Sequence, residues 1–166
     1  PLVDYIGKSD DDCFVSPLTG ERLTVKKTLL IVVDTHKADF VDSKNVYEKA
    51  QNVIVIDHHR KTVDYINNAV IFYHEPHASS TCEMVTEILQ YIDDKKQLSN
   101  FEAKALYVGI FMDSKNFVTK TGIRTFEAAS YLKRYGVNTM EVKRLFNLRF
   151  DDYVRRTEII RHAEIW

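Results

Sequence analysis

Three short runs of β-branched and apolar residues constrain this chain most: Leu29-Leu30-Ile31-Val32-Val33, Val53-Ile54-Val55-Ile56 and Ala69-Val70-Ile71-Phe72-Tyr73. None of them alternates polar with apolar. A strand that is apolar on both sides asks to be covered on both faces, which is the habit of parallel strands joined by crossovers. Between the first two runs, Ser43 to Ala50 has the length and composition of a short crossover helix. Strand alternating with helix predicts an α/β fold, a parallel β-sheet with flanking helices, and all three strands are expected to be buried.

The second half reads as helical. Ser80-x-x-Glu83 has the form of a capping box, followed by Val85, Ile88, Leu89 and Ile92 at the spacing of one helix face. Ser99-x-x-Glu102 opens a second helix that should bury Ala103, Leu106, Tyr107, Ile110 and Phe111. A third is expected from about Arg124 to Tyr135, ended by Gly136, and a fourth from Asn138 to near Phe146. A fifth starts near Asp151 and carries no stop signal by Trp166.

Polar residues follow two of the strands: Val33-Asp34-Thr35-His36 and Ile56-Asp57-His58-His59. Ligands of open α/β sheets bind beyond the carboxyl ends of the strands, so both clusters should face one crevice. Asp113 follows the apolar helix segment Tyr107 to Met112. Carboxylates mixed with imidazoles, without cysteine, favour Mn²⁺ or a similar divalent ion over structural zinc. Such an ion can neutralise phosphoryl oxygens and acidify bound water. Taken singly, each residue has a simpler explanation, such as Asp as a helix N-cap or His as a surface side chain. The inference rests on two polar clusters coinciding at the ends of one sheet.

Composition narrows the partners. Lys+Arg of 23 against Asp+Glu of 24 leaves a net charge of -1. That balance argues against a binder of long nucleic acid, which needs a basic, aromatic-lined channel. Cys13 and Cys82 form no CxxC pair and are read as reduced thiols. The longest unbroken apolar runs, such as Leu29 to Val33, are five residues, so no membrane segment is expected in this chain. It begins at Pro1 without an initiator Met and is expected to be a piece of a longer protein.

Asp57-His58-His59-Arg60 after Val-Ile-Val-Ile, preceded by the strand ending in Asp34-Thr35-His36, resembles the DHH phosphoesterase superfamily. Glu75-Pro76-His77-Ala78-Ser79-Ser80-Thr81 and Gly109 to Phe117 sharpen this towards bacterial cyclic di-AMP phosphodiesterases, whose full-length forms carry membrane helices, a PAS-like domain and a degenerate GGDEF domain. The resemblance implies that Asp34 bridges two Mn²⁺ ions, with His58 and Asp113 completing the shell of one. It gives His59 the scissile phosphate and Asp57 the orientation of the histidines, both as catalytic residues. Ser79 and Ser80, at a helix N-terminus, are candidate phosphate contacts. His36, His74, His77 and His162 match no ligand role and are expected to be structural or solvent-facing.

Two parts of the family pattern have no counterpart. The first motif, His-x-x-x-Asp-x-Asp after a strand, should precede Asp34, yet Lys8 to Asp12 reads as an exposed turn. The DHH-associated domain that grips substrate across the cleft is also missing. Residues 1–150 are therefore expected to form a partial DHH domain, and 151–166 the start of a linker helix. An unpaired apolar sheet edge should remain, inviting self-association. The implied activity is hydrolysis of cyclic di-AMP to linear pApA by a cytoplasmic domain of a membrane-anchored protein, with this chain weak or inactive alone. The alternatives are a short-oligonucleotide phosphodiesterase and a non-catalytic interaction module.

Overall fold

A computed structural model describes residues 14–92, 98–147 and 150–163. The expected turn at Lys8 to Asp12 and the thiol of Cys13 lie outside them, and the fifth helix, expected to run on to Trp166, ends at Arg161, with the described His162 and Ala163 already outside it. Three parallel strands, β1 (Leu29–Val33), β2 (Asn52–Asp57) and β3 (Ile71–His74), form a sheet in the order β1-β2-β3. Leu30 pairs with Val53, and Ile56 with Tyr73. A helix α1 (Pro17–Leu23) precedes the sheet, and α2 (Lys44–Lys49) lies on the β1–β2 crossover. Ser43 caps α2 by accepting from the Val46 N–H at 3.4 Å. This is the α/β architecture expected from the strand runs.

The two faces of the sheet are covered unequally. On one face Val32, Val53, Val55 and Ile66 form a buried cluster with Leu30, Tyr47 and Phe72 packed against it. On the other, Ile54, Ile56 and Tyr73 pack with Ala78, Met84, Val85 and Ile88 at helix α3 (Thr81–Leu89). That helix reaches over β2 and β3 but not over β1. Leu29, Ile31 and Val33 consequently stay about half exposed, at 50%, 51% and 50%. The expectation that all three strands are buried therefore holds for β2 alone: β1 and β3 are the two edges of the sheet, and β3 buries no residue, with Ile71 55% exposed. Apolarity records that a face should be covered, and coverage depends on which element reaches it.

The helical half is closer to its sequence pattern. Helices α4 (Asn100–Asp113) and α5 (Ile123–Lys133) pack against α3 and each other, and α6 (Thr139–Leu145) packs on α4. Ala103, Tyr107, Ile110, Ala128, Leu132 and Val142 build their core. A reciprocal capping box starts α4: Ser99 Oγ accepts from the Glu102 N–H at 3.2 Å, and the Ser99 N–H donates to Glu102 at 2.7 Å. Gly136 sits at φ 82°, the left-handed conformation a glycine accepts without strain, and turns the chain after α5. No residue of α7 (Phe150–Arg161) is buried.

Helix α3 departs from expectation. Its buried residues are Thr81, Glu83, Met84 and Thr86, whereas Val85, Ile88 and Leu89 are only partly buried and Ile92 is 56% exposed. The cause is position. Its N-terminus lies behind the strand ends, so the polar side chains of the first turns are drawn inward and satisfied there.

Candidate metal centre

β2 ends in Asp57 and delivers His58 and His59 to the crevice. Asp34 follows β1 directly, its N–H donating to the Ile56 carbonyl at 3.0 Å and its backbone left-handed at φ 64°. Asp tolerates that conformation better than most residues, and departures of this kind cluster at functional sites. The turn swings the carboxylate towards β2. Asp113 comes from the last residue of α4, where the helix dipole disfavours an anion. Its place there is explained by what it faces.

Asp34 Oδ1 lies 3.6 Å and Asp113 Oδ2 3.8 Å from His58 Nε2. The other ring nitrogen of the buried His58, Nδ1, is 3.4 Å from the Ala78 carbonyl oxygen. Donation there leaves the Nε2 lone pair facing the two carboxylates. Donor atoms of Asp34, His58 and His59 also lie within 4.8 Å of one another. Burial first, then the charge of Asp34, raises the Asp113 pKa above the usual carboxylate value, opposed by His58, His59 and Lys120. Two carboxylates held against one imidazole lone pair form a donor set suited to a divalent cation with a preference for oxygen. These are the residues that the family resemblance implies as metal ligands, and 79 positions of chain separate Asp34 from Asp113.

Asp57 is fully buried and outside this set. His36 Nδ1 donates to one of its oxygens, and the His59 N–H and Nδ1 reach the other at 3.2 and 2.8 Å. Burial works to raise the Asp57 pKa, yet these hydrogen bonds prevail and hold it below its ordinary value. His59 is thereby fixed with no hydrogen bond to Nε2 among the described residues and its side chain half exposed. Asp57 thus orients His59 and is itself braced by His36, while His58 takes its orientation from Ala78. The buried His36 also bonds Thr62 through Nε2 at 3.1 Å. Its only signal in the sequence is its position two residues after Asp34.

Ser79 and Ser80 are both buried, and Glu83 claims both hydroxyls. Ser80 Oγ accepts from the Glu83 N–H at 3.1 Å, and Ser79 Oγ donates to the Glu83 carboxylate at 2.6 Å. The Glu83 carboxylate also accepts from the Ser79 N–H at 3.2 Å, so the reciprocal half of the cap falls on Ser79 and not on Ser80. Only Ser79 lines the cleft, which encloses about 430 Å³ with Asp34, His58, His59, Asp113, Lys115, Thr119 and Lys120. Thr81 has a contact that its place in the motif did not reveal: its Oγ1 donates to Asp34 Oδ1 at 2.9 Å.

Helices α3 and α4 meet behind the site. A Cβ at Gly109 would stand 2.2 Å from Cys82 Sγ and 3.0 Å from Cys82 Cβ. Burial, then the charges of Asp113 and Asp34, pushes the Cys82 thiol up to about 12, so it stays protonated at neutral pH.

Comparison with known proteins agrees with this geometry. Residues 2–110 match the N-terminal domain of the DHH family. The chain is 40% identical over 152 residues to the cyclic-di-AMP phosphodiesterase PdeA of Listeria monocytogenes serotype 1/2a (strain 10403S), covering 92% of this chain and 23% of that protein. It is 39% identical over 153 residues to the cyclic-di-AMP phosphodiesterase GdpP of Bacillus subtilis (strain 168), with the same coverage. The chain therefore spans about a quarter of the length of these relatives. Its fold is shared with an exopolyphosphatase-related protein from Bacteroides fragilis at a TM-score of 0.77 and 19% identity, covering 90% of this chain and 44% of that one. A matched family domain over most of the strand-bearing half, and a parallel sheet with Asp57-His58-His59 at its carboxyl edge, make this chain a member of the DHH family.

Proposed function

We propose that this cleft belongs to a divalent-metal phosphodiesterase that opens cyclic di-AMP to linear pApA. The observation that carries the reading is the convergence of Asp34 and Asp113 on His58 Nε2, and the names of the relatives supply the substrate. Asp34, His58 and Asp113 would hold Mn²⁺, with Asp34 able to share its carboxylate with a second ion. Bound there, the ion would neutralise phosphoryl oxygens and lower the pKa of water.

The remaining residues act on position and protons. His59, oriented through Nδ1 by Asp57, presents Nε2 to a phosphate oxygen or a leaving alkoxide. Ser79 supports the wall of the cleft, and its N–H is committed to Glu83. Ser80 acts through the cap on the placement of α3. Thr81 fixes the rotamer of Asp34 from the same helix.

Among the described residues no helix is long and apolar enough to cross a membrane. We place the domain on the cytoplasmic side of a membrane-anchored protein, with residues 1–150 as part of its DHH domain and 151–166 leading onward. The half-exposed Leu29, Ile31 and Val33 on an edge strand support self-association through β1. A clean monomer by sedimentation at roughly tens of micromolar would contradict that.

The activity is tested by titrating Mn²⁺ calorimetrically and assaying cyclic di-AMP hydrolysis with and without it. The chain alone should bind Mn²⁺ weakly and turn over little, because the three donors that converge among the described residues leave much of the transition-state charge uncompensated. Absence of Mn²⁺ binding in this chain, together with Mn²⁺-independent hydrolysis, would overturn the reading.

A further inference from the structure

Where α4 ends, the chain passes through three consecutive non-glycine residues in the left-handed region: Lys115 (φ 48°), Asn116 (φ 64°) and Phe117 (φ 61°). Lys120 returns to it at φ 50°. Such a run is sterically disfavoured for L-residues and persists only where its surroundings enforce it. Here they do. The buried Ser114 hydroxyl donates to the Ile110 carbonyl at 2.6 Å and accepts from the Phe117 N–H at 3.0 Å. The Asn116 N–H donates to the Phe111 carbonyl at 2.8 Å, and those of Val118 and Thr119 both donate to the Ser114 carbonyl at 2.9 Å. The Phe117 ring is wedged among Tyr107, Phe111 and Phe126.

The consequence of this folded-back turn is that Lys115, Thr119 and Lys120 line the same cleft as Asp34, His58, His59 and Asp113. Both lysines are exposed, and neither ammonium makes an ion pair or hydrogen bond among the described residues. Lys120 is close enough to favour the Asp113 carboxylate, yet does not pair with it. Two ammonium groups without an ion pair among the described residues, set beside the donors for a cation, weaken the binding of that cation. They are accounted for by an anion in the cleft. A scissile phosphate would face His59 and the metal donors, so the lysine wall is left for another anionic group of the same ligand. An ammonium is a compact point charge on a flexible stem and suits a phosphate held at a single oxygen.

We propose that Lys115 and Lys120 form a subsite for the second phosphate of a two-phosphate nucleotide, so that this loop, not the metal donors, selects cyclic dinucleotides over single-phosphate diesters. The proposal rests on the phosphodiester reading of the cleft. It also predicts that the lysines oppose metal binding while favouring the nucleotide, a split that a purely structural loop would not produce.

The test compares two probes that differ by one phosphate, linear pApA and the dinucleoside monophosphate ApA, by calorimetry with Mn²⁺ present. Lys115→Asn and Lys120→Asn remove the charges while keeping a residue that tolerates the left-handed backbone. Circular dichroism checks that each variant is folded. The unaltered chain should bind pApA more tightly than ApA. Each substitution should weaken pApA roughly tenfold or more, the size of a lost charged hydrogen bond, and leave ApA unchanged. Mn²⁺ affinity should stay level or rise. Equal loss for both probes, or no loss for either, would overturn the subsite. Failure of the unaltered chain to bind either probe would instead strike the phosphodiester reading, and the subsite with it.

Discussion

Replacing Gly109 by Ala tests whether the contact between α3 and α4 sets the metal centre. The new Cβ would stand 2.2 Å from Cys82 Sγ. Ordinary contact is about 3.5–4.0 Å, so the sulfur must retreat by roughly 1.5 Å or the helices must part. A rotation of the Cys82 side chain relieves only part of the strain, because its Cβ remains at 3.0 Å. Overpacking of this kind costs about 1–3 kcal/mol, and the better helix propensity of Ala returns about 1 kcal/mol. A clash this close belongs in the upper part of that range, about 2–3 kcal/mol, so the net loss is about 1–2 kcal/mol, or about 2–8 °C in Tm for a chain of this size. Asp113 lies one helical turn beyond Gly109 on the same face, so displacement of α4 moves a metal donor. Mn²⁺ affinity should fall about tenfold or more. Thermal unfolding by circular dichroism reads the first effect and calorimetry the second. Adding Cys82→Ala removes the sulfur and should restore most of both losses. A Gly109→Ala chain that melts at or above the temperature of the unaltered one, or a double variant with no recovery, would refute the argument.

Other outcomes follow from the same geometry. Thr81→Val deletes the hydroxyl that holds Asp34 and should weaken Mn²⁺ about tenfold with little change in Tm, measured by the same two assays. Asp57 has a lowered folded pKa, so its contribution to stability is present above its unfolded value near 3.9 and is lost as pH falls through the folded one. Asp57→Asn should therefore lower stability by about 1–3 kcal/mol at neutral pH. It should also flatten the acid limb of a urea-denaturation series below about pH 4. Asp113 has a raised folded pKa, so without metal its contribution is full below the unfolded value and is lost as pH rises through the folded one. Mn²⁺ must displace that proton, so affinity should fall as pH is lowered towards the Asp113 pKa. Asp113→Asn should bind Mn²⁺ weakly and lose that part of the pH dependence in calorimetric titrations.

Much of this protein was legible because the signals are local. Ser99-x-x-Glu102 caps a helix through atoms three residues apart, and the β-branched runs declare strands whatever surrounds them. The polar residues beyond Val33 and Ile56 also follow from order along the chain, since parallel strands share one carboxyl edge. The DHH triplet added which residues to watch. The covering of β1 was not legible, because Leu29, Ile31 and Val33 are as apolar as residues with a helix above them. Nor was the burial of Thr81, Glu83 and Thr86 in place of the apolar stripe of α3. Helical periodicity finds a face without saying which neighbour it meets.

The sequence by itself determined the three strands and the helices after them, the parallel arrangement and the types of donor at the strand ends, while α1 was not foreseen. Tertiary structure decided which donors meet. It brought Asp113 across to His58, set Thr81 on Asp34, braced Asp57 with His36, to which the motifs gave no role, and folded two lysines back over the cleft. Each of those contacts joins segments whose approach is fixed by packing, through Gly109 against Cys82 and Phe117 among its aromatic neighbours. Packing is a property of pairs of surfaces, and a single line of residues specifies only one member of each pair at a time.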